Sequence, residues 1–153
     1  WASLEQILLR LGGRSRWLGS DHGRSSILDT AATGAFFQTS LAAFVEAAAY
    51  AEARGVSVEV LGDLLIELWP GFSSSIQQAC ESIRTRCWET HDATLDTFSA
   101  ATRVWQAEML KAGMRAPLIS ASLESMRHAQ AAGHGDRSFY AQFLTSGAVR
   151  SSA

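Results

Sequence analysis

A near-continuous apolar stretch from Ile27 to Ala53 limits what this chain can fold into more than any other feature. It opens after the turn Gly19-Ser20-Asp21-His22-Gly23, closes at Arg54-Gly55, and carries charge only at Asp29, Glu46 and Glu52. From about Ser25 to Arg54, at ~1.5 Å per residue, it makes a helix on the order of 45 Å long. Ile27, Leu28, Ala31, Phe36, Phe37, Leu41, Phe44, Val45 and Tyr50 spread over every face, and a helix apolar all round has to be covered all round. A carboxylate near its start, Asp29, is then either a residue favoured by the helix dipole or a functional group.

A bilayer span needs roughly 20 apolar residues with few charges. Asp29, Thr30, Thr33, Gln38, Thr39, Ser40 and Glu46 instead scatter polar groups over several faces, and Arg54 stands alone where a basic cluster would set orientation. With a mean hydropathy of only +0.03, the chain reads as a soluble helical bundle with this segment as its central helix. Its 153 residues suit one domain with a real core. A net charge of −2 without a basic stripe argues against nucleic acid. Cys80 and Cys87 fall on one predicted helix with Cα atoms roughly 10 Å apart, too far for a disulfide, so free thiols in a reducing cytoplasm are expected. The opening Trp1-Ala2-Ser3-Leu4-Glu5 lacks the basic start of a signal peptide, and the missing initial Met suggests a piece of a longer protein.

Residues Ser3 to Leu11 read as a short amphipathic helix stopped by Gly12-Gly13, and Arg14 to Gly19 as a short strand. One helix and one strand cannot fold alone, so this opening is expected to be the tail of a preceding α/β domain. After the long helix, Gly55 suits a helix stop and Ser57 an N-cap. A helix is expected from there to about Trp69, ended by Pro70-Gly71, then another from about Ser74 to Glu89. A further helix from Thr94 or Leu95 stops at Gly113, and Pro117 opens the next. Gly133-His134-Gly135-Asp136 is a sharp turn, with Asp136 expected to cap a last helix holding Phe139, Tyr140, Phe143 and Leu144. The tail, 147–153, is expected to be disordered.

Two sets of motifs carry a family resemblance. One is Leu18-Gly19-Ser20-Asp21-His22-Gly23, then Ile27-Leu28-Asp29, then Glu46 through Ser57. The other is His91-Asp92-Ala93-Thr94-Leu95-Asp96, followed by Ala131-Ala132-Gly133-His134-Gly135-Asp136. In this order and spacing the chain, from about Gly12 to Phe143, resembles the C-terminal helical domain of NADPH-dependent imine reductases and reductive aminases. These belong to the superfamily of 6-phosphogluconate and β-hydroxyacid dehydrogenases. The resemblance implies an all-α bundle around one long central helix, interlocked with its twin into a homodimer. It also implies a substrate pocket shared between subunits, and NADPH bound by a preceding Rossmann domain of which residues 1–19 are the remnant. Residues 20–146 would then form the dimerisation and substrate-pocket domain. No G-x-G-x-x-G occurs in the sequence, so no cofactor-binding residue is assigned to it.

Carried over by position, the resemblance assigns the proton donor or substrate-nitrogen anchor to Asp29. Counting back from Glu46 selects Thr30 instead, one residue away. Where reductive aminases often have a Tyr, this chain has Phe37, with Gln38 beside it. Thr30, Thr33, Phe37, Gln38, Trp69 and Phe98 are the expected substrate-pocket residues. The implied chemistry is simple: a protonated imine accepts hydride far better, and an acid whose pKa is raised by an apolar cleft can supply that proton near neutral pH.

The residues also admit plainer roles. Glu46, mid-helix among alanines, reads as a buried hydrogen-bonded or ion-paired group, His134 as structural, and Trp17, Trp88 and Trp105 as packing residues. His91, Asp92 and Asp96 give only a weak metal pattern, and no metal site is assigned. Other functions stay open: a non-catalytic helical dimerisation or ligand-binding module, or a hydroxyacid dehydrogenase-like domain. The last is weakened because the only lysine is Lys111, whereas those enzymes place a catalytic Lys in the long helix.

Overall fold

A computed structural model describes residues 2–10 and 17–147. Six α-helices follow in order: α1 (Ala2–Arg10), α2 (Gly23–Leu28), α3 (Thr39–Ala53), α4 (Val58–Thr85), α5 (Leu95–Lys111) and α6 (Pro117–Ala131). A π-helical segment, Asp29–Gln38, joins α2 to α3, and a 3₁₀ turn, Phe139–Leu144, closes the order. Helical backbone therefore runs from Gly23 to Ala53, as the apolar pattern requires. Among the described residues there is no strand, only an isolated antiparallel bridge between Thr94 and Ser138. The strand expected from Arg14 to Gly19 is not seen in its described part, Trp17–Gly19, which has no regular structure; Leu11 to Arg16 and the tail beyond Gly147 lie outside the described residues. No helix among the described residues is long and apolar enough to cross a membrane.

The chain divides into two compact units, Trp1–Ala42 and Ala43–Ala153. In the first, a knot of local bonds starts α2. Asp21 Oδ1 accepts the Gly23 amide at 2.9 Å, and Arg24 Nη1 donates to the Leu18 carbonyl at 2.9 Å. Gly19 supplies the left-handed backbone, φ +94°, that lets Leu18 face Arg24.

The second unit has its core between α5 and α6. Leu95, Met126 and Ala129 form a buried cluster with Phe139 packed against it, and Leu123 is also fully buried. Buried Ser99 avoids an unsatisfied hydroxyl by donating to Gln130 Oε1 at 2.9 Å. Trp88 is buried, as a packing role demands, and stacks on Phe143 with ring centroids 6.0 Å apart. Trp17 and Trp105, also expected to pack, are exposed in this chain.

Each helix start leaves amides to be satisfied, and two of them are met from far along the chain. At α5, Leu95 N donates to Arg137 O at 2.8 Å, Asp96 N to Gly135 O at 2.9 Å, and Phe98 N to Thr94 O at 3.1 Å. Thr94 Oγ1 accepts from Thr97 N at 3.4 Å. The turn at Gly133–Ser138 thus completes the α5 terminus. The cap expected of Asp136 is not formed: Ser138 occupies the N-cap of the 3₁₀ turn, without a side-chain bond. Gly135 has no room for a side chain, since a Cβ there would overlap the Asp96 carboxyl, with Cγ at 2.8 Å.

At α6, left-handed Ala116 cannot cap and Pro117 has no N–H. Glu46 does the capping instead: its Oε2 accepts from Leu118 N and its Oε1 from Ile119 N, both at 3.0 Å. Glu46 is thus hydrogen-bonded as expected, but half-buried rather than buried.

One expected boundary is overturned. Pro70-Gly71 does not end a helix; α4 is a single helix of 28 residues with Pro70 inside it. An internal proline costs ~3 kcal/mol or more through a lost bond and a carbonyl clash. Stopping there would instead strand up to four carbonyls of one helix and four amides of the next. Continuation is the cheaper solution, and Ser75 Oγ reinforces it by donating to Gly71 O at 3.1 Å. At the head of α4, Ser57 caps as expected, accepting from Val60 N at 3.4 Å. A backbone hydrogen bond and the Ser57 hydroxyl hold the Glu59 carboxyl below its usual pKa.

Candidate active site

All but two of the expected site residues fall on one element. Asp29 is the first residue of the π-helical segment and Gln38 its last, with Thr30, Thr33 and Phe37 between them. Ten residues of π-helix are unusual, since the form mostly occurs as a single widened turn and frequently at functional sites. Every residue from Asp29 to Gln38 is exposed in the chain. The side chains of Asp29, Thr30, Thr33 and Gln38 hold no hydrogen-bond partner among the described residues. Ser40, by contrast, ties its hydroxyl to the Phe36 carbonyl at 2.8 Å.

Beside this segment in the first unit lies an open groove of about 530 Å³ lined by Trp17, Leu18, Gly19, Arg24, Ile27 and Leu28. Arg24 is held at its edge by Leu18 O and by the Asp21 carboxylate at 3.9 Å. Sequence reasoning missed Arg24; the signal was its spacing of three residues from Asp21, across the turn that opens α2. Trp69 and Phe98 belong to the second unit, on α4 and α5. Trp69 is 60% exposed and its ring meets Phe72. Phe98 packs edge-on against Phe139 with centroids 5.0 Å apart. His91, Asp92 and Asp96 do not form a metal-ligating group among the described residues; Asp96 accepts from Gln130 Nε2 at 2.6 Å.

The long helix expected to be covered on all sides is open within the chain. Ile27 is 66% exposed and Val45 65%, with Leu28, Phe36, Phe37 and Leu41 also exposed. On α4, Val60, Leu64, Ile66, Leu68 and Trp69 are exposed as well. Contiguous apolar exposure on this scale exceeds what a monomeric domain usually leaves open to water.

The fold is that of an all-α domain strung on a long helix with a π-helical insert. Residues 21–144 match the model of NADPH-dependent reductive aminase-like C-terminal domains, and the chain belongs to that family. It is similar to an imine reductase from Pseudomonas sp., with 26% identity and a TM-score of 0.83 over 95% of this chain and 50% of that one. Its fold also matches a reductive aminase from Aspergillus terreus in complex with NADPH and ethyl levulinate, at 21% identity and TM-score 0.82, covering 95% and 50%. An imine reductase from Myxococcus stipitatus in complex with NADP+ shares the fold at 21% identity and TM-score 0.83, covering 95% and 53%. The chain thus spans about half the length of these proteins. Comparison with curated protein sequences gives no match.

Proposed function

We propose that this chain is the dimer-forming, substrate-lining half of an NADPH-dependent reductase of C=N bonds. Family membership supports the reaction class. The observation that carries the chemistry is Asp29: a carboxyl without a hydrogen-bond partner among the described residues, at the head of a π-helical turn, on a helix whose other exposed side chains are mostly apolar.

NADPH, when bound, supplies the hydride. The chain's own residues do not fit it, because no glycine-rich loop cradles a pyrophosphate anywhere in the sequence. Its binding falls to a preceding domain, of which residues 1–19 are the end. Asp29 gives a proton to the imine nitrogen and then, as a carboxylate in a site closed to water, stabilises the cationic iminium. Thr30, Thr33, Phe37, Gln38, Trp69 and Phe98 line the substrate pocket. The exposed apolar side chains of the long helix and α4 are covered by a second copy of the chain, making a homodimer. Exposed, unpaired Cys80 and Cys87 fit a reducing compartment, the cytoplasm.

In the full-length protein, Asp29→Ala is expected to lower kcat for a cyclic imine about 100-fold or more, with Thr30→Ala changing it only a few-fold. Steady-state assay of NADPH oxidation reads both. Loss in Thr30→Ala with Asp29→Ala unaffected would reject Asp29 as the proton donor.

A further inference from the structure

Hydrogen-bond closure decides which residues of a helix share a line. An α-helix turns once in about 3.6 residues; the i→i+5 closure of a π-helix widens the turn to roughly four and a half. Under α winding, Phe36 would stand two turns above Asp29, and Gln38 would point the opposite way. The segment is π-helical from Asp29 to Gln38, so the step between those two residues makes two full turns. Gln38 then comes onto the line of Asp29, Thr33 falls on it between them, and Phe36 moves to the far side. The winding exchanges a phenyl ring for a carboxamide above the acid. All three polar side chains on the line are exposed and hold no hydrogen-bond partner among the described residues.

We propose that Gln38 is a substrate-positioning residue whose carboxamide binds a second polar group of the molecule that Asp29 holds by its nitrogen. This rests on the reading of Asp29 given above. Two helical turns separate the two backbone positions by about 10 Å, a gap that inward-leaning side chains shorten. The substrate class is therefore an imine, or an amine and carbonyl pair, bearing a hydroxyl, ether or carbonyl oxygen several bonds from the nitrogen. A carboxamide donates and accepts, so it meets any of these without introducing charge. Thr33, small and hydroxylic, leaves room between the two contacts.

The test uses the full-length enzyme with NADPH and two cyclic imines of equal size, one carrying a distal carbonyl and the other a methylene in its place. Gln38→Leu should raise KM for the carbonyl-bearing imine about five- to tenfold, the loss of one neutral hydrogen bond. KM for the other imine should rise several-fold less, so the ratio of the two KM values reports the lost bond. Phe36→Leu should show no such selectivity. Gln38→Met, closer in shape, gives the same comparison if leucine disturbs the helix. Equal shifts for both imines, or a selective shift in Phe36→Leu instead, would overturn the assignment while leaving Asp29 untouched. Wild-type enzyme that turns over neither imine would remove the Asp29 reading and this one together.

Discussion

Glu46 belongs to the long helix, yet its two bonds go to amides 72 and 73 residues further on. A charged acceptor on two part-buried amides forms bonds stronger than neutral ones. Glu46→Ala is expected to lower stability by about 2–4 kcal/mol, because both amides lose their partner. Glu46→Gln, which keeps one acceptor, should cost less; urea unfolding followed by circular dichroism measures both. That Glu46 would be hydrogen-bonded was legible, since a carboxyl among alanines in an apolar helix has to be satisfied. Its partners were not, because nothing local in Ala116-Pro117-Leu118 tells which distant acid supplies the cap. The same division holds at Asp96: its place at a helix start was legible, but its bonds to Gln130 and to the turn at Gly135 depend on how α6 returns along α5.

Helix ends were well marked where glycine or a capping hydroxyl sets them. Gly55 and Gly113 end α3 and α5 with φ of +80° and +78°, and Thr94 and Ser57 cap as their chemistry suggests. Pro70 was the misleading signal, because a proline's local cost says nothing about the termini that a break would create. Pro70→Ala restores the missing donor and is expected to stabilise the protein by about 1–3 kcal/mol, seen as a raised thermal midpoint. A fall in that midpoint would mean that the proline's own shape is needed there. The π winding left no trace in composition. Thr-Ala-Ala-Thr-Gly-Ala is as compatible with an α-helix as with the wider form.

For the whole molecule, the apolar pattern foretold cover for the long helix, and the chain alone does not supply it. Val45 and Ile66, 65% and 72% exposed, are positions where a charge is harmless to a monomer and costly in a buried interface. On the proposed dimer, Val45→Glu and Ile66→Glu are therefore expected to shift the full-length protein to monomer, read by light scattering, and to remove activity with it. Activity retained by a monomer would separate the site from the interface. The way α5 begins carries a consequence for the newborn chain. Its first amides wait for carbonyls of Gly135 and Arg137, which leave the ribosome only after both α5 and α6 have been made. Until those emerge, the segment around Leu95 is held open, so a nascent polypeptide stalled just short of Gly135 should be cut there by a protease that spares the finished protein.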